Sequence, residues 1–304
     1  MFFFINDSGI KALKGGKMIE KKILPNHLLE MKHRGEKITM TVCYDYPSAV
    51  LSEKAGIHSI IMGVSVGKGL LGYDDVIKVK VEDVLHHTKA VSRGAKNSLI
   101  VADMPFLSCT NDQDAIKNCG KMITDGGANA VKIEGGGRTA DIVKVVVKNG
   151  IPVLGHIGAS LFIMELDGGV EQGTKAEEAI KIIEDVKKLE DAGVFAILME
   201  AVPFQAMEKV MEVAKVPIIS LGSGKISDGQ LLIFNELIGL QDIFIPKCVK
   251  RYANVREVIL KALKDFISEV EEEKFPLEEN TFFMAKEEAE KLNKMMKNLY
   301  TKSK

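Results

Sequence analysis

The chain is short of five things. It has no excess of basic residues: 41 Lys and Arg stand against 42 Asp and Glu. Its overall charge therefore does not suit it to a phosphate backbone or an anionic membrane surface. It has no apolar run long enough to span a bilayer. Its opening, MFFFI, is too short for the apolar core of a secretion signal and has no basic residues before it. The four cysteines, Cys43, Cys109, Cys119 and Cys248, show neither C-x-x-C spacing nor a disulfide framework. No G-x-G-x-x-G follows the first strand-like segment, ITMTVCY at 38–44, which weighs against a dinucleotide fold. These absences lead to an expectation of a cytoplasmic protein with reduced thiols that binds neither nucleic acid nor membrane. Residues 1–17 read as a disordered tail or an over-extended start, since a more ordinary MIEKKILPNHLLEMK opens at Met18.

What is present is a repeated junction. EKAGIHSIIMG (53–63), TDGGANAVKIE (124–134) and EDAGVFAILME (190–200) share one layout. Charged helix-ending residues come first, then Gly56, Gly127 or Gly193, where a helix C-cap needs a left-handed residue, then a short apolar strand. Recurrence of this kind marks one supersecondary unit used many times. Further strands are predicted in SLIVADMP (98–105), IPVLGHIG (151–158), VPIISLGSG (216–224) and DIFIPKCV (242–249), the last after DGQLLIFNELIGL read as a helix. The count is eight strands, starting at about 38, 58, 98, 128, 151, 194, 216 and 242. They are continuous apolar runs, as parallel strands covered on both faces require. The pattern predicts a (β/α)8 TIM barrel with extra C-terminal helices. Residues 18–304 read as a single barrel domain whose helical extension begins at about 253. In that extension, FPLEENTFF (275–283) is an extended connector between two helices, a tail suited to packing within a homo-oligomer.

In such a barrel the chemistry sits at the C-terminal strand ends. Those ends carry Tyr44, Asp45, Ser65, Asp103, Lys132, Glu134, His156, Glu200 and Ser223. Lys132 and Glu134 lie two apart on one strand and so share a face. Buried charge is costly unless paired, so a converging set points to a site. Asp103 and Glu134 are hard oxygen ligands suited to Mg²⁺. Lys132 and His156 are donors for a carboxylate or keto oxygen. Glu200 suits a general base once burial raises its affinity for a proton. Together they imply enolate chemistry on a small 2-oxo acid: an aldol-type addition or a C–C cleavage.

The ordered blocks TMTVCYDYPSA, VADMPF, AVKIEGG, GIPVLGHIG, LEDAGVFAILMEAVP, DGQLLIFNELIGL and PKCVKRYA resemble the ketopantoate hydroxymethyltransferase family, in the phosphoenolpyruvate mutase/isocitrate lyase superfamily. The resemblance covers residues 37–283. It implies a decameric (β/α)8 enzyme of pantothenate biosynthesis. That enzyme moves a one-carbon unit from 5,10-methylenetetrahydrofolate, its co-substrate, to 3-methyl-2-oxobutanoate, with Mg²⁺ holding the oxo acid. It also implies roles: Asp103 as metal ligand with Glu134 near it, Lys132 and His156 on the substrate, Ser65 on its carboxylate, and Glu200 removing the proton from carbon three.

Two stretches depart from the family pattern. The loop after strand two reads GVSVGKG, with Val64 where the family has a metal-binding Asp and Lys68 where it has Met. Valine cannot ligate a metal, so Mg²⁺ binding is expected to be weak or absent. Lys68 is either a solvated loop lysine or a cation compensating for the ion. The loop after strand five, GASLFIMELDGG, also differs, so acceptor or donor is open to change. A paralogue acting as an aldolase or C–C lyase on another oxo acid, and a catalytically silent relative, stay as alternatives. His86 and His87 read as helix-surface groups or helix–sheet contacts, because neighbours on a helix do not face one another. Asp45 reads as a helix N-cap or as a neighbour of a metal ligand, Tyr73 as a lid or packing residue, and GGG at 135–137 as a loop or a phosphate cradle.

Overall fold

Eight parallel strands close into a barrel in the order β1 to β8 in the computed structural model, which describes residues 19–159, 173–241 and 246–301. The strands are β1 (Ile38–Val42), β2 (Ser59–Met62), β3 (Leu99–Asp103), β4 (Ala130–Glu134), β5 (Val153–Gly158), β6 (Ala196–Glu200), β7 (Ile218–Leu221) and β8 (Gly229–Ile233). β8 closes the ring by pairing all five of its residues with β1. The barrel belongs to a compact unit, residues 1–253; residues 254–304 form a second.

The apolar strands are buried along nearly their whole length, with Ile60, Leu99, Val131, Leu154, Ile197 and Ile218 fully inside. Helices supply the outer layer. Among those covering the wall are α2 (Tyr46–Lys54), α4 (Val81–Gly94), α5 (Asp112–Thr124), α6 (Ala140–Lys148), α7 (Ala176–Ala192) and α8 (Phe204–Val213). α1 (Pro25–His33) precedes β1, and α3 (Val66–Gly69) is a single turn after β2. α7 buries Ile182, Val186 and Leu189, spaced four and three apart, so one stripe of the helix faces the barrel. Gly56, Gly127 and Gly193 have φ of 88°, 75° and 93°. Each sits at or beside a helix end in the left-handed region expected of a C-cap, and the chain turns there into the next strand.

The eighth strand corrects the sequence reading. The segment taken as a helix, DGQLLIFNELIGL, contains β8 and the one-turn helix α9 (Phe234–Leu237). DIFIPKCV is not the closing strand: residues 242–245 lie outside the described residues, and Pro246 onward forms a turn. The link from β7 to β8 is only residues 222–228, too short for a covering helix. Seven extended residues reach roughly 23 Å, enough to return along a strand of four or five residues. Side chains hold this link in place of a helix. Asp228 Oδ2 accepts from Ile218 N (2.8 Å) and pairs with Lys32 Nζ of α1 (2.9 Å). Ser223 Oγ donates to Met199 O (3.0 Å) and accepts from Val202 N (2.9 Å), tying the link to β6.

The second unit holds two helices, α10 (Val255–Glu271) and α11 (Lys286–Thr301), joined through a short 3-10 turn at Glu278–Asn280. No described helix is long and apolar enough to cross a membrane. All four cysteines are free thiols.

Candidate active site

Strand register brings the ionisable groups together. Across β3 and β4, Asp103 is paired with Lys132. Across β4 and β5, Glu134 is paired with His156, and across β5 and β6, Gly158 is paired with Glu200. Paired residues in neighbouring strands present their side chains to one face, so this register builds a cluster from strand-end residues far apart in sequence.

The contacts run as a chain. Lys132 Nζ lies 3.1 Å from Asp103 Oδ2, 3.6 Å from Glu134 Oε2 and 3.3 Å from His156 Nδ1. His156 Nδ1 lies 3.3 Å from Glu134 Oε2, and its Nε2 lies 3.3 Å from Glu200 Oε2. The side chains of Asp103, Lys132, Glu134 and His156 are at most 6% exposed, whereas that of Glu200 is 20% exposed and opens toward solvent. Asp103 Oδ1 and His156 Nε2 are buried without a well-formed hydrogen bond. Such groups carry a desolvation cost that a bound ligand relieves.

Burial and charge act against each other here. Burial raises the Asp103 carboxyl, Lys132 pulls it down, Glu134 pushes it up, and the balance is upward. Burial works against the Lys132 ammonium, but Asp103, Glu134 and Glu200 outweigh it and keep it charged. For His156, burial and then the Lys132 charge favour the neutral ring; Glu134 and Glu200 reverse them, and its pKa is raised.

The β2 loop forms the next wall. A Cβ on Gly63 would lie 2.9 Å from Val42 Cγ1 and 3.1 Å from Ser65 Oγ, so only glycine lets this loop approach so closely. Val64 follows, its side chain fully buried, and its N–H donates to Asp103 Oδ2 (3.1 Å). Tyr44 OH donates to Ser65 Oγ (2.9 Å), leaving the Ser65 proton for another acceptor. His87 Nδ1 lies 2.7 Å from Tyr44 O and braces that strand end from α4. His87 is thus a helix group touching the sheet, as expected of it.

Other candidates are placed elsewhere. Lys68 is exposed on α3, and the cation lying against Asp103 and Glu134 is Lys132. Asp45 is the N-cap of α2, its Oδ1 accepting from Ser48 N (2.8 Å). Ser223 is committed to the backbone bonds of the β7–β8 link. Glycines 135–137 open a 3-10 turn, and Gly136 and Gly137 face Asp185 of α7, whose negative charge does not suit a phosphate cradle. Tyr73 packs on the core beside Gly67. The GASLFIMELDGG loop lies outside the described residues from Ser160 onward.

Sequence reasoning missed Glu236. On α9, just past the C-terminal end of β8, it is half-buried, and burial followed by the charge of Glu200 pushes its carboxyl up to about 7. Reading Gly229–Ile233 as a strand would have put Glu236 at the barrel mouth. Asn235 Nδ2 and Gln241 Nε2 both donate to Gly69 O (3.3 and 2.6 Å), which ties this segment to the β2 loop.

A closed eight-stranded barrel with its ionisable groups gathered at the C-terminal strand ends defines a (β/α)8 enzyme. Solved structures of similar fold include a phosphonopyruvate hydrolase in complex with oxalate and Mg²⁺ (TM-score 0.56, 12% identity, 93% of this chain and 99% of that one). Another is 2,3-dimethylmalate lyase, a PEP mutase/isocitrate lyase superfamily member (TM-score 0.55, 12% identity, 92% and 97%). The ketopantoate hydroxymethyltransferase family model matches residues 22–278. The chain is 48% identical over 255 residues to the 3-methyl-2-oxobutanoate hydroxymethyltransferase of Clostridium kluyveri, covering 83% of this chain and 91% of that protein. It is 43% identical over 273 residues to the enzyme of that name from Carboxydothermus hydrogenoformans, covering 89% and 99%. The chain belongs to the ketopantoate hydroxymethyltransferase family.

Mg²⁺, which the resemblance implies, has a poor donor set here. Val64 offers no oxygen from its side chain, and Lys132 stands at 3.1 and 3.6 Å from the two candidate carboxylates. Among the described residues, no group of three or more His, Cys, Asp or Glu is arranged to hold a metal ion. The residues do not fit the ion.

Proposed function

We propose that this chain transfers a hydroxymethyl group to 3-methyl-2-oxobutanoate, giving 2-dehydropantoate on the route to pantothenate. The donor is 5,10-methylenetetrahydrofolate, which with water leaves as tetrahydrofolate. One observation carries the reading: a buried cation, Lys132, and a partly open carboxylate, Glu200, are joined through His156 across three neighbouring strand ends.

The roles follow from that order. Lys132 and His156 draw in the oxo acid's oxygens, and the Ser65 hydroxyl, held by Tyr44, donates to its carboxylate. Glu200 accepts the proton from carbon three. As that C–H bond breaks, its electron pair forms a C2=C3 double bond, and the carbonyl pair moves onto oxygen beside Lys132. A fixed cation in a dry site stabilises that developing charge with little reorganisation. Water frees the folate's methylene carbon from its two nitrogens as formaldehyde and leaves tetrahydrofolate; the C2=C3 pair then forms the bond to that carbon as the C2 carbonyl re-forms, and the new alkoxide takes up the proton held by Glu200.

Hydrogen–deuterium exchange at carbon three of 3-methyl-2-oxobutanoate, followed by proton NMR without folate, isolates the first step. Glu200→Gln is expected to slow this exchange about 10²- to 10⁴-fold, the usual contribution of a positioned base. Exchange at the wild-type rate in this variant overturns the assignment.

A further inference from the structure

The resident cation of the site is a side chain. Asp103 and Glu134 are strand-end carboxylates, and both face the same ammonium, Lys132 Nζ. Asp103 Oδ2 also accepts from Val64 N, so one of its two oxygens is already shared by two donors. Val64 meets Asp103 through its backbone N–H, and its fully buried side chain carries no oxygen. Mg²⁺ demands near-octahedral oxygen coordination and gives up its waters reluctantly. To sit between these carboxylates it would have to displace the Lys132 Nζ that stands 3.1 and 3.6 Å from them, and it would gain no oxygen from the Val64 side chain.

We infer that this enzyme works without a divalent ion, and that the Lys132 ammonium, held by Asp103 and Glu134, is the electrophile that binds the oxo acid and takes up its enolate charge. The inference rests on the proposed reaction. No redox partner or extra proton is needed. The proton leaves carbon three for Glu200, the C–H pair becomes the C2=C3 bond, and the enolate oxygen is neutralised by an ammonium already in place. Asp103 and Glu134 act as positioning residues, fixing that ammonium at the strand ends. Val64, with no side-chain oxygen, adds no ligand to them.

The test titrates Mn²⁺, a paramagnetic stand-in for Mg²⁺, against the full chain with and without 3-methyl-2-oxobutanoate, reading free ion by electron paramagnetic resonance. Wild type is expected to leave Mn²⁺ free, and Val64→Asp to bind it at least about tenfold more tightly, because an added carboxylate supplies a hard ligand. Carbon-three exchange by wild type should be equal in EDTA and in Mg²⁺. Uptake of one Mn²⁺ per wild-type chain that Asp103→Asn abolishes overturns the inference. So does exchange that EDTA stops and Mg²⁺ restores, an outcome that leaves the proposed reaction standing. Exchange absent under both conditions strikes at the proposed reaction instead, and the wild-type Mn²⁺ titration then still decides whether the ion is excluded. That titration is decisive even if Val64→Asp does not fold.

Discussion

Glu236 shows what a single carboxyl at the barrel mouth costs. Burial and the nearby Glu200 charge push its carboxyl up to about 7, whereas an unfolded chain would titrate it near the ordinary glutamate value. The folded state therefore prefers Glu236 protonated. Its favourable contribution is complete below the unfolded pKa and is lost as pH rises through about 7. Glu236→Gln removes this dependence. The variant's Tm is expected to match wild type at acid pH and to exceed it at pH 8 by on the order of a few degrees, as thermal unfolding followed by circular dichroism across that range would measure. Equal slopes for the two proteins would mean that the carboxylate is well solvated. The cluster itself was half legible. Lys132, Glu134, His156 and Glu200 stand at recognisable strand ends, and register brings them into contact. That Lys132 is the cation lying against Asp103, with Lys68 exposed on α3, was not legible, because it depends on which way a one-turn helix presents its side chains.

At the scale of elements, the segment from β7 to α9 is where periodicity fails. Leu231, Leu232, Ile233 and Phe234 form a continuous apolar run, and Leu237 and Ile238 follow at helical spacing. A short run of this kind suits a buried strand or a buried helix equally. The structure makes it both, strand then turn of helix. The error moved Glu236 away from the mouth, so a mistaken period hid a site residue. The other seven strands were legible because charged helix ends and C-cap glycines punctuate several of them. Ser223, read as a candidate site residue, serves this segment as a fastener. Ser223→Ala removes the bond to the Met199 carbonyl and strands the buried Val202 N–H. It should lower stability by about 1–3 kcal/mol, measured by urea unfolding, while leaving carbon-three exchange near the wild-type rate.

The molecule as a whole closes unevenly. β5 and β6 pair over five residues and β8 and β1 over five, but β7 and β8 share only Ile219 with Gly229 and Ser220 with Gln230. The same joint has a seven-residue return in place of a covering helix. Protection against amide exchange follows the number of bonds that must break together. Amides in β8 facing β7 should exchange about tenfold or more faster than those of Leu154 and Ile157 in β5, as hydrogen exchange with mass spectrometry would show. Uniform protection around the ring would mean that the link is as firm as a helix. A cylinder with one thin seam has a preferred line along which to breathe. Here that line runs up to α9 and the Gly69 carbonyl, so the wall loosens first beside the doorway and last behind Lys132.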